Sequence, residues 1–380
     1  MHGIVRAAYR EQVATRIVFF VAGLGTAAWA PLVPYAKARV ALDDASLGLV
    51  LLCFGMGSIV TMPLTGVLAG RFGCRVVILA SGIGVCATLP LLAIAATVPH
   101  LAVALFLFGA AVGTVDVAMN IQAVMVEKAS GRAMMSGFHG LFSVGGFAGA
   151  GGASAVLWLG LSPPETASCV VAVLAILLAM SAGGLLTYGN DGGGKAPLFV
   201  LPRGPVILIG LLCCMVFLAE GAMLDWSALF LTTLRGFAHS HGGIGYAVFA
   251  ICMTLGRLTG DRIVRALGSV RVLLFGGAGA GAGFLVTVLV PSAAASLIGF
   301  GLIGLGASNI VPVLFSTVGR QTIMPQNLAV AAITTLGYAG ILAGPALIGF
   351  IANATSLDVA FAVLACMMLA VGASARVAKR

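Results

Sequence analysis

Thr65-Gly66-Val67-Leu68-Ala69-Gly70-Arg71-Phe72-Gly73-Cys74-Arg75-Val76 closes one long apolar run and opens the next. Its pattern returns as Thr259-Gly260-Asp261-Arg262-Ile263-Val264-Arg265-Ala266-Leu267-Gly268-Ser269-Val270-Arg271-Val272. Both stretches read Thr-Gly, an arginine six residues after the threonine, then glycine, then Arg-Val. A short match at one place is weak evidence of duplication. A match at the same place in each half of a chain points to a fold built from two related sets of helices.

What surrounds these stretches is almost uniformly apolar. Of 380 residues, 61% are hydrophobic and 8% charged, against roughly 25% charged in a soluble domain. Twenty Lys plus Arg and eleven Asp plus Glu are too few to cover a water-facing surface of this size. Most of the surface therefore faces lipid. A bilayer core of about 30 Å takes about 20 apolar residues in helical form, and twelve runs of that size are found. They lie near 16–34, 47–69, 75–97, 101–126, 137–159, 166–187, 205–232, 243–266, 270–290, 293–317, 327–352 and 357–375. The runs are too long for barrel strands and lack their alternation. The fold class expected is an all-α membrane protein of twelve transmembrane helices in two six-helix bundles. The first bundle covers 1–187, a linker 188–204, and the second bundle 205–380.

Charge distribution sets the orientation. Sixteen basic residues fall on one side of these spans and three, Lys37, Arg39 and Arg235, on the other; the positive side is cytoplasmic, which places both termini and the linker there. The N-terminal apolar run reaches Pro34 and Pro31 follows Ala28-Trp29-Ala30, so it reads as a first span rather than a cleaved leader. The net charge of +9 lacks a contiguous basic patch with aromatics, which sets nucleic acid aside as a partner. Eight cysteines lie in or beside apolar stretches without a Cys-x-x-Cys pair and read as small buried hydrophobes. There is no cluster of metal ligands, no nucleophile triad and no phosphate loop, so no cofactor is called for and the chain reads as a non-enzyme. His239 and His241 are a weak metal candidate on an outer loop.

Ionisable groups inside a bilayer are costly and so mark functional sites. Four stand out: Asp116, Glu220, Asp225 and Arg257. At 1.5 Å per residue, Asp116 falls about 4 Å, Glu220 about 2 Å and Asn309 about 6 Å from the middle of their spans. Asp116 and Asn120 are four apart and share a helix face with Gly109 and Gly113. A carboxyl withdrawn from water at that depth can take up and release a proton, so Asp116 and Glu220 are the expected proton-coupling residues. Glu220 and Asp225 point in different directions; Asp225 with Trp226 is expected at an outer gate. Arg257 and Asp261, four apart, form a candidate pair on one face. His139 is expected at the inner gate, and Trp29, Tyr246 and Tyr338 are candidate stacking surfaces for a ring-shaped solute. Gly145, Gly146, Gly149, Gly151 and Gly152 permit close helix approach in the fifth span.

Six spans plus six, a cytoplasmic linker and a Gly-Arg turn after the second and eighth spans resemble the major facilitator superfamily over essentially the whole chain. Its inner-loop motif is matched by Gly66, Arg71, Gly73 and Arg75, with Gly70 where an acid is usual. The second copy keeps Asp261 with Arg262 and Arg265. The resemblance implies that Gly66, Arg71, Arg75, Asp261 and Arg265 take part in gating, and Arg257 joins them through its spacing from Asp261. Gly113-Thr114-Val115-Asp116-Val117-Ala118-Met119-Asn120-Ile121-Gln122, Phe138-His139-Gly140-Leu141-Phe142-Ser143 and Ala219-Glu220-Gly221-Ala222-Met223-Leu224-Asp225-Trp226-Ser227 are similar to the fucose-permease-like bacterial branch. That branch includes permeases of uncertain substrate and ones linked to rhizopine uptake, and its characterised sugar carriers are proton symporters.

These readings converge on a secondary transporter of the bacterial inner membrane. It is expected to move a small polar solute, sugar-like or cyclitol-like, by proton symport and alternating access. The solute would be bound by Asp116, Asn120, Glu220, Asn309, Trp29, Tyr246 and Tyr338. Its partners are the solute, protons and membrane lipid, and it is expected to act as a monomer. The alternative reading is a proton-coupled antiporter exporting a drug or metabolite, favoured by the glycine-rich fifth span.

Overall fold

The two glycines of the repeated motif adopt the same backbone conformation: Gly73 has φ 81°, ψ 158° and Gly268 φ 80°, ψ 156°. This region is essentially closed to residues with a Cβ, so each glycine ends one helix and starts the next. The computed structural model describes residues 2–190, 201–238 and 241–379. Residues 191–200 of the expected linker, and His239, lie outside the described residues.

The described chain is helical, with no strand among the described residues. In order the helices are α1 (His2–Ala27), α2 (Val33–Arg39), α3 (Asp44–Ile94), α4 (Val98–Ser130), α5 (Met135–Trp158), α6 (Pro163–Ala182) and α7 (Pro205–Leu234). They continue with α8 (Ile244–Leu267), α9 (Ser269–Leu289), α10 (Ala293–Ala307), α11 (Ile310–Val318), α12 (Gln326–Ala354) and α13 (Leu357–Ala373). Among the described residues, ten helical stretches are long and apolar enough to cross a membrane. One of them, Ser46–Ile94, holds two of the expected spans on either side of Gly73. Ile244–Leu267 is not among the ten; it carries Arg257, Asp261, Arg262 and Arg265, which lower its hydropathy.

Helix starts follow ordinary capping chemistry. The side chain of Asp43 accepts from Ser46 N at 2.7 Å, and this bond to the charged form holds the Asp43 carboxyl below the usual range. Ser162 and Glu165 form a capping box at α6, and Ser356 caps α13. Prolines 99, 163 and 205 occupy first-turn positions, where an N–H is not needed.

The chain divides into two compact units, one of residues 1–131, 141–201 and 324–331, the other of residues 132–140, 202–323 and 332–380. In the first, α3 packs along α4, and α1 packs against α4 and α6. In the second, α9 packs on α10 and α13, and α8 on α10. Phe230, Phe284, Phe300 and Phe361 fill its core, with Phe230 and Phe361 stacked at 4.6 Å.

Each unit uses the same device to bring helices together. A Cβ on Gly109 would collide with the Phe54 carbonyl, and one on Gly304 with the Phe249 carbonyl. Gly145 and Gly149 lie against the carbonyls of Phe20 and Leu24, as Gly340 and Gly344 lie against those of Cys214 and Leu218. Corresponding glycines are the same number of positions apart in every case, as are Gly73 and Gly268. Without a hydrophobic drive between helices in lipid, such close backbone approach is the main source of association. Gly151 and Gly152 have nothing within 4 Å of an added Cβ, so part of the fifth helix's glycine content is not used in this packing.

Candidate functional site

In the first unit the polar feature is the α4 pair. Asn120 is 2% exposed; its Nδ2 donates to the Asp116 backbone carbonyl at 2.9 Å and reaches Asp116 Oδ1 at 3.5 Å. Asn120 Oδ1 is buried without a hydrogen-bond partner among the described residues. No cation pairs with Asp116 there either. One turn before Asp116, Gly113 presses on Ser58, whose hydroxyl donates to the Gly109 carbonyl at 2.8 Å, so these two glycines are occupied in packing α4 on α3. Trp29 is buried in an apolar cluster with Leu24, Leu89 and Phe108.

The repeated motif in this unit is held by its neighbours. Asn327 Nδ2 donates to the Gly66 carbonyl at 2.7 Å, and a Cβ on Gly66 would crowd Ala331. Arg71 and Arg75 have exposed side chains. The backbone N–H of Arg75 donates to the Leu186 carbonyl at 2.7 Å, and Cys74 N to the Tyr188 carbonyl at 3.3 Å.

The second unit gathers more charge. Arg257 Nη2 on α8 donates to Glu220 Oε1 and Oε2 on α7, at 3.2 and 3.3 Å. Arg257 Nε donates to the Ser308 carbonyl at 3.4 Å. Asn309 Nδ2 donates to the Gly256 carbonyl at 3.0 Å and to Ser308 Oγ at 2.9 Å, while its Oδ1 is buried without a partner among the described residues. Tyr246 lies within electrostatic reach of Glu220, Arg257 and Asp225, and its ring is 6.0 Å from Phe249. Asp225 is exposed and Trp226 half-buried, its indole edge against Gly349. Tyr338 meets Phe217 edge-on at 6.2 Å.

The remaining candidates sit at the start of α5. Gly137 N donates to both carboxylate oxygens of Asp261 at 3.2 Å, so Asp261 caps the N-terminus of α5. Arg265 Nη1 donates to the Ala133 carbonyl at 3.3 Å. His139 Nδ1 is 3.0 Å from the Met135 carbonyl oxygen and its ring 5.6 Å from Phe315. The structure thus brings Glu220, Arg257, Asn309 and Tyr246 together in one unit, and Asp116 with Asn120 in the other. Sequence reading missed two contributors. Ser308 gives no signal of its own, whereas Pro312, inside an apolar run, marks a helix break that spacing alone does not reveal. No group of three or more His, Cys, Asp or Glu suited to a metal is found among the described residues.

Comparison with known proteins gives a consistent result. The sequence profile described as Major Facilitator Superfamily matches residues 17–323. An uncharacterized MFS-type transporter of Yersinia pestis is 61% identical over 376 residues, covering 99% of this chain and 98% of the relative. The membrane protein MosC of Rhizobium meliloti is 31% identical over 343 residues, covering 89% and 83%. The E. coli fucose:proton symporter FucP superposes with a TM-score of 0.78 at 15% identity, covering 97% of this chain and 98% of FucP. At that identity the likeness establishes the fold alone.

Proposed function

Because this chain belongs to the Major Facilitator Superfamily, we propose that it is a proton symporter that imports a small polar solute, sugar-like or cyclitol-like, by alternating access. It is a multi-pass protein of the bacterial inner membrane. Twelve crossings, with both termini on one side, follow if α3 crosses twice, turning at Gly73, and α8 crosses despite its charges; the charge bias makes that side the cytoplasmic one. The first bundle would then cover 1–187 and the second 205–380, joined by the linker 188–204.

The observation that carries the reading is the contrast between the two acids. Glu220 is neutralised by Arg257, whereas among the described residues Asp116 has the amide of Asn120 and no cation beside it. A carboxyl with no cation can exist in lipid surroundings only by exchanging a proton or binding a donor. Asp116 is therefore the proton carrier, with Asn120 beside it. Glu220, Asn309, Tyr246 and Tyr338 are the solute-facing groups, with Glu220 as a second proton acceptor when a solute displaces Arg257. Trp29, the remaining stacking candidate, lies in an apolar cluster of the first unit. Asp225, Trp226, His139, Gly66, Arg71, Arg75, Asp261 and Arg265 serve the gates. Gly145 and Gly149 of the glycine-rich fifth helix, the feature that favours an exporter, also serve helix packing.

The test is reconstitution in liposomes with a pH-sensitive dye inside, challenged with a panel of sugars, cyclitols and amphiphilic cations. Acidification of the lumen on adding an external sugar or cyclitol establishes symport; alkalinisation of preacidified vesicles by a cation makes the protein an exporter. Asp116→Asn is expected to abolish accumulation against a gradient. Accumulation with an unchanged pH dependence in that variant would remove Asp116 from the coupling role.

A further inference from the structure

We infer that Arg257 is a positioning residue that ties the Glu220 carboxylate to a proline-made break between α10 and α11. In an uninterrupted helix the N–H of residue 312 donates to the carbonyl of residue 308. Pro312 has no N–H, and its ring crowds that same carbonyl. The helix accordingly stops at Ala307 and restarts at Ile310, with Asn309 at φ −107°, ψ 0°. Pro312 then sits in the first turn of α11, where it is tolerated. The break leaves the Ser308 carbonyl without its helical donor, and Arg257 Nε fills that place at 3.4 Å.

The same guanidinium holds Glu220 through Nη2. One cation therefore satisfies a carboxylate on α7 and an orphaned carbonyl at the break. The neighbouring residue reinforces the strap, since the Gly256 carbonyl accepts from Asn309 Nδ2 at 3.0 Å and Gly256 itself lies against Ser308. In the first unit α4 runs unbroken from Val98 to Ser130, with Val117 rather than a proline at the matching place. The break is thus particular to the unit that carries the arginine.

The consequence is a readout of Glu220. A solute or proton that takes the Glu220 carboxylate releases one end of Arg257, and the Ser308 carbonyl loses a fixed donor. The α10–α11 break loosens when Glu220 is engaged and tightens when it is free. This rests on reading Glu220 as a solute-facing group, but its test needs no solute.

Hydrogen–deuterium exchange of the full chain in lipid nanodiscs, followed over residues 304–316, measures the break directly. Glu220→Gln is expected to speed exchange there roughly tenfold, as the loss of one charge-assisted hydrogen bond implies. Arg257→Lys, whose single ammonium cannot hold both partners, is expected to do the same. Pro312→Ala gives Ser308 a donor within the helix, so adding it to Glu220→Gln is expected to return exchange to the unsubstituted rate. Unchanged exchange in Glu220→Gln, or equal acceleration with and without Pro312→Ala, overturns the inference. Loss of proton-coupled uptake as a function, with this exchange pattern intact, would remove the symport reading and leave the inference standing.

Discussion

Arg257 and Glu220 form an ion pair on adjacent helices, 3.2 Å apart with side chains 8% and 18% exposed. Two charges removed from water persist only when matched, and removing one strands the other. Arg257→Ala is therefore expected to cost about 3–5 kcal/mol of stability, more than Asn309→Ala at the neighbouring break. Replacing both members, as Glu220→Gln with Arg257→Gln, should cost less than the two single changes together, because neither charge is then left alone. Thermal unfolding of the four proteins in detergent forms the cycle; simple additivity would mean that the pair is not coupled.

The turns at Gly73 and Gly268 share a conformation but not surroundings. A Cβ on Gly73 would run into the Thr187 carbonyl, whereas one on Gly268 has nothing within 4 Å. Backbone strain in this region costs on the order of 1–3 kcal/mol for a residue with a side chain. Gly268→Ala should lose that amount alone, and Gly73→Ala more. Melting temperatures of the two variants decide it, and equal losses would show that the contact with Thr187 yields freely.

The glycine contacts make a sharper comparison. Gly109→Ala and Gly304→Ala each place a methyl on a neighbouring helix's carbonyl, at Phe54 and Phe249. Both should lower the yield of folded protein and its melting temperature, since the helices must part to make room. Gly151→Ala, with open space around it, should be neutral or slightly stabilising, because alanine favours the helix. A Gly151→Ala variant as damaged as the other two would break the link between these contacts and stability.

The parts of the fold legible in the sequence are those set by local backbone demands. Gly73 and Gly268 announce their turns because almost no other residue accepts that conformation, and the apolar runs announce the long helices by length. The α10–α11 break is hidden, since Ser308 and Asn309 interrupt the hydropathy too little and Pro312 alone marks it. The candidate site is legible as residue types: Asp116, Glu220 and Arg257 are ionisable groups inside apolar runs, which makes them candidates in lipid. Their partners are not, because Arg257 shares a face with Asp261 four residues on yet pairs with Glu220 on another helix. Helical spacing reports which residues share a face and is silent on which neighbour that face meets. Trp29 shows the same limit, for its size suits a solute-binding wall as well as the apolar core it fills.

Two of the three basic residues that break the charge asymmetry, Arg39 and Arg235, have a structural use. Arg39 donates through Nε to the Ala95 carbonyl and through Nη2 to the Leu92 carbonyl, both at 2.8 Å, closing the C-terminal end of α3. Arg235 repeats the arrangement in the second unit. Its Nη2 donates to the Thr287 carbonyl of α9 at 2.7 Å and to Asp358 at 3.3 Å, and its guanidinium lies 4.6 Å from the centre of the Phe230 ring. A cation on the last carbonyls of a helix satisfies acceptors that have no donor in lipid and favours the negative end of the dipole. Arg39→Gln and Arg235→Gln should each cost about 1–3 kcal/mol. Lysine at either position should recover less than half of it, because one ammonium cannot span two acceptors at fixed positions. On the proposed topology neither change should invert the chain in the membrane, since the sixteen basic residues assigned to the cytoplasmic side are untouched. Melting curves test the first expectation and accessibility of a terminal tag in intact cells the second. A tag that changes sides on loss of either arginine would make these residues determinants of topology rather than caps.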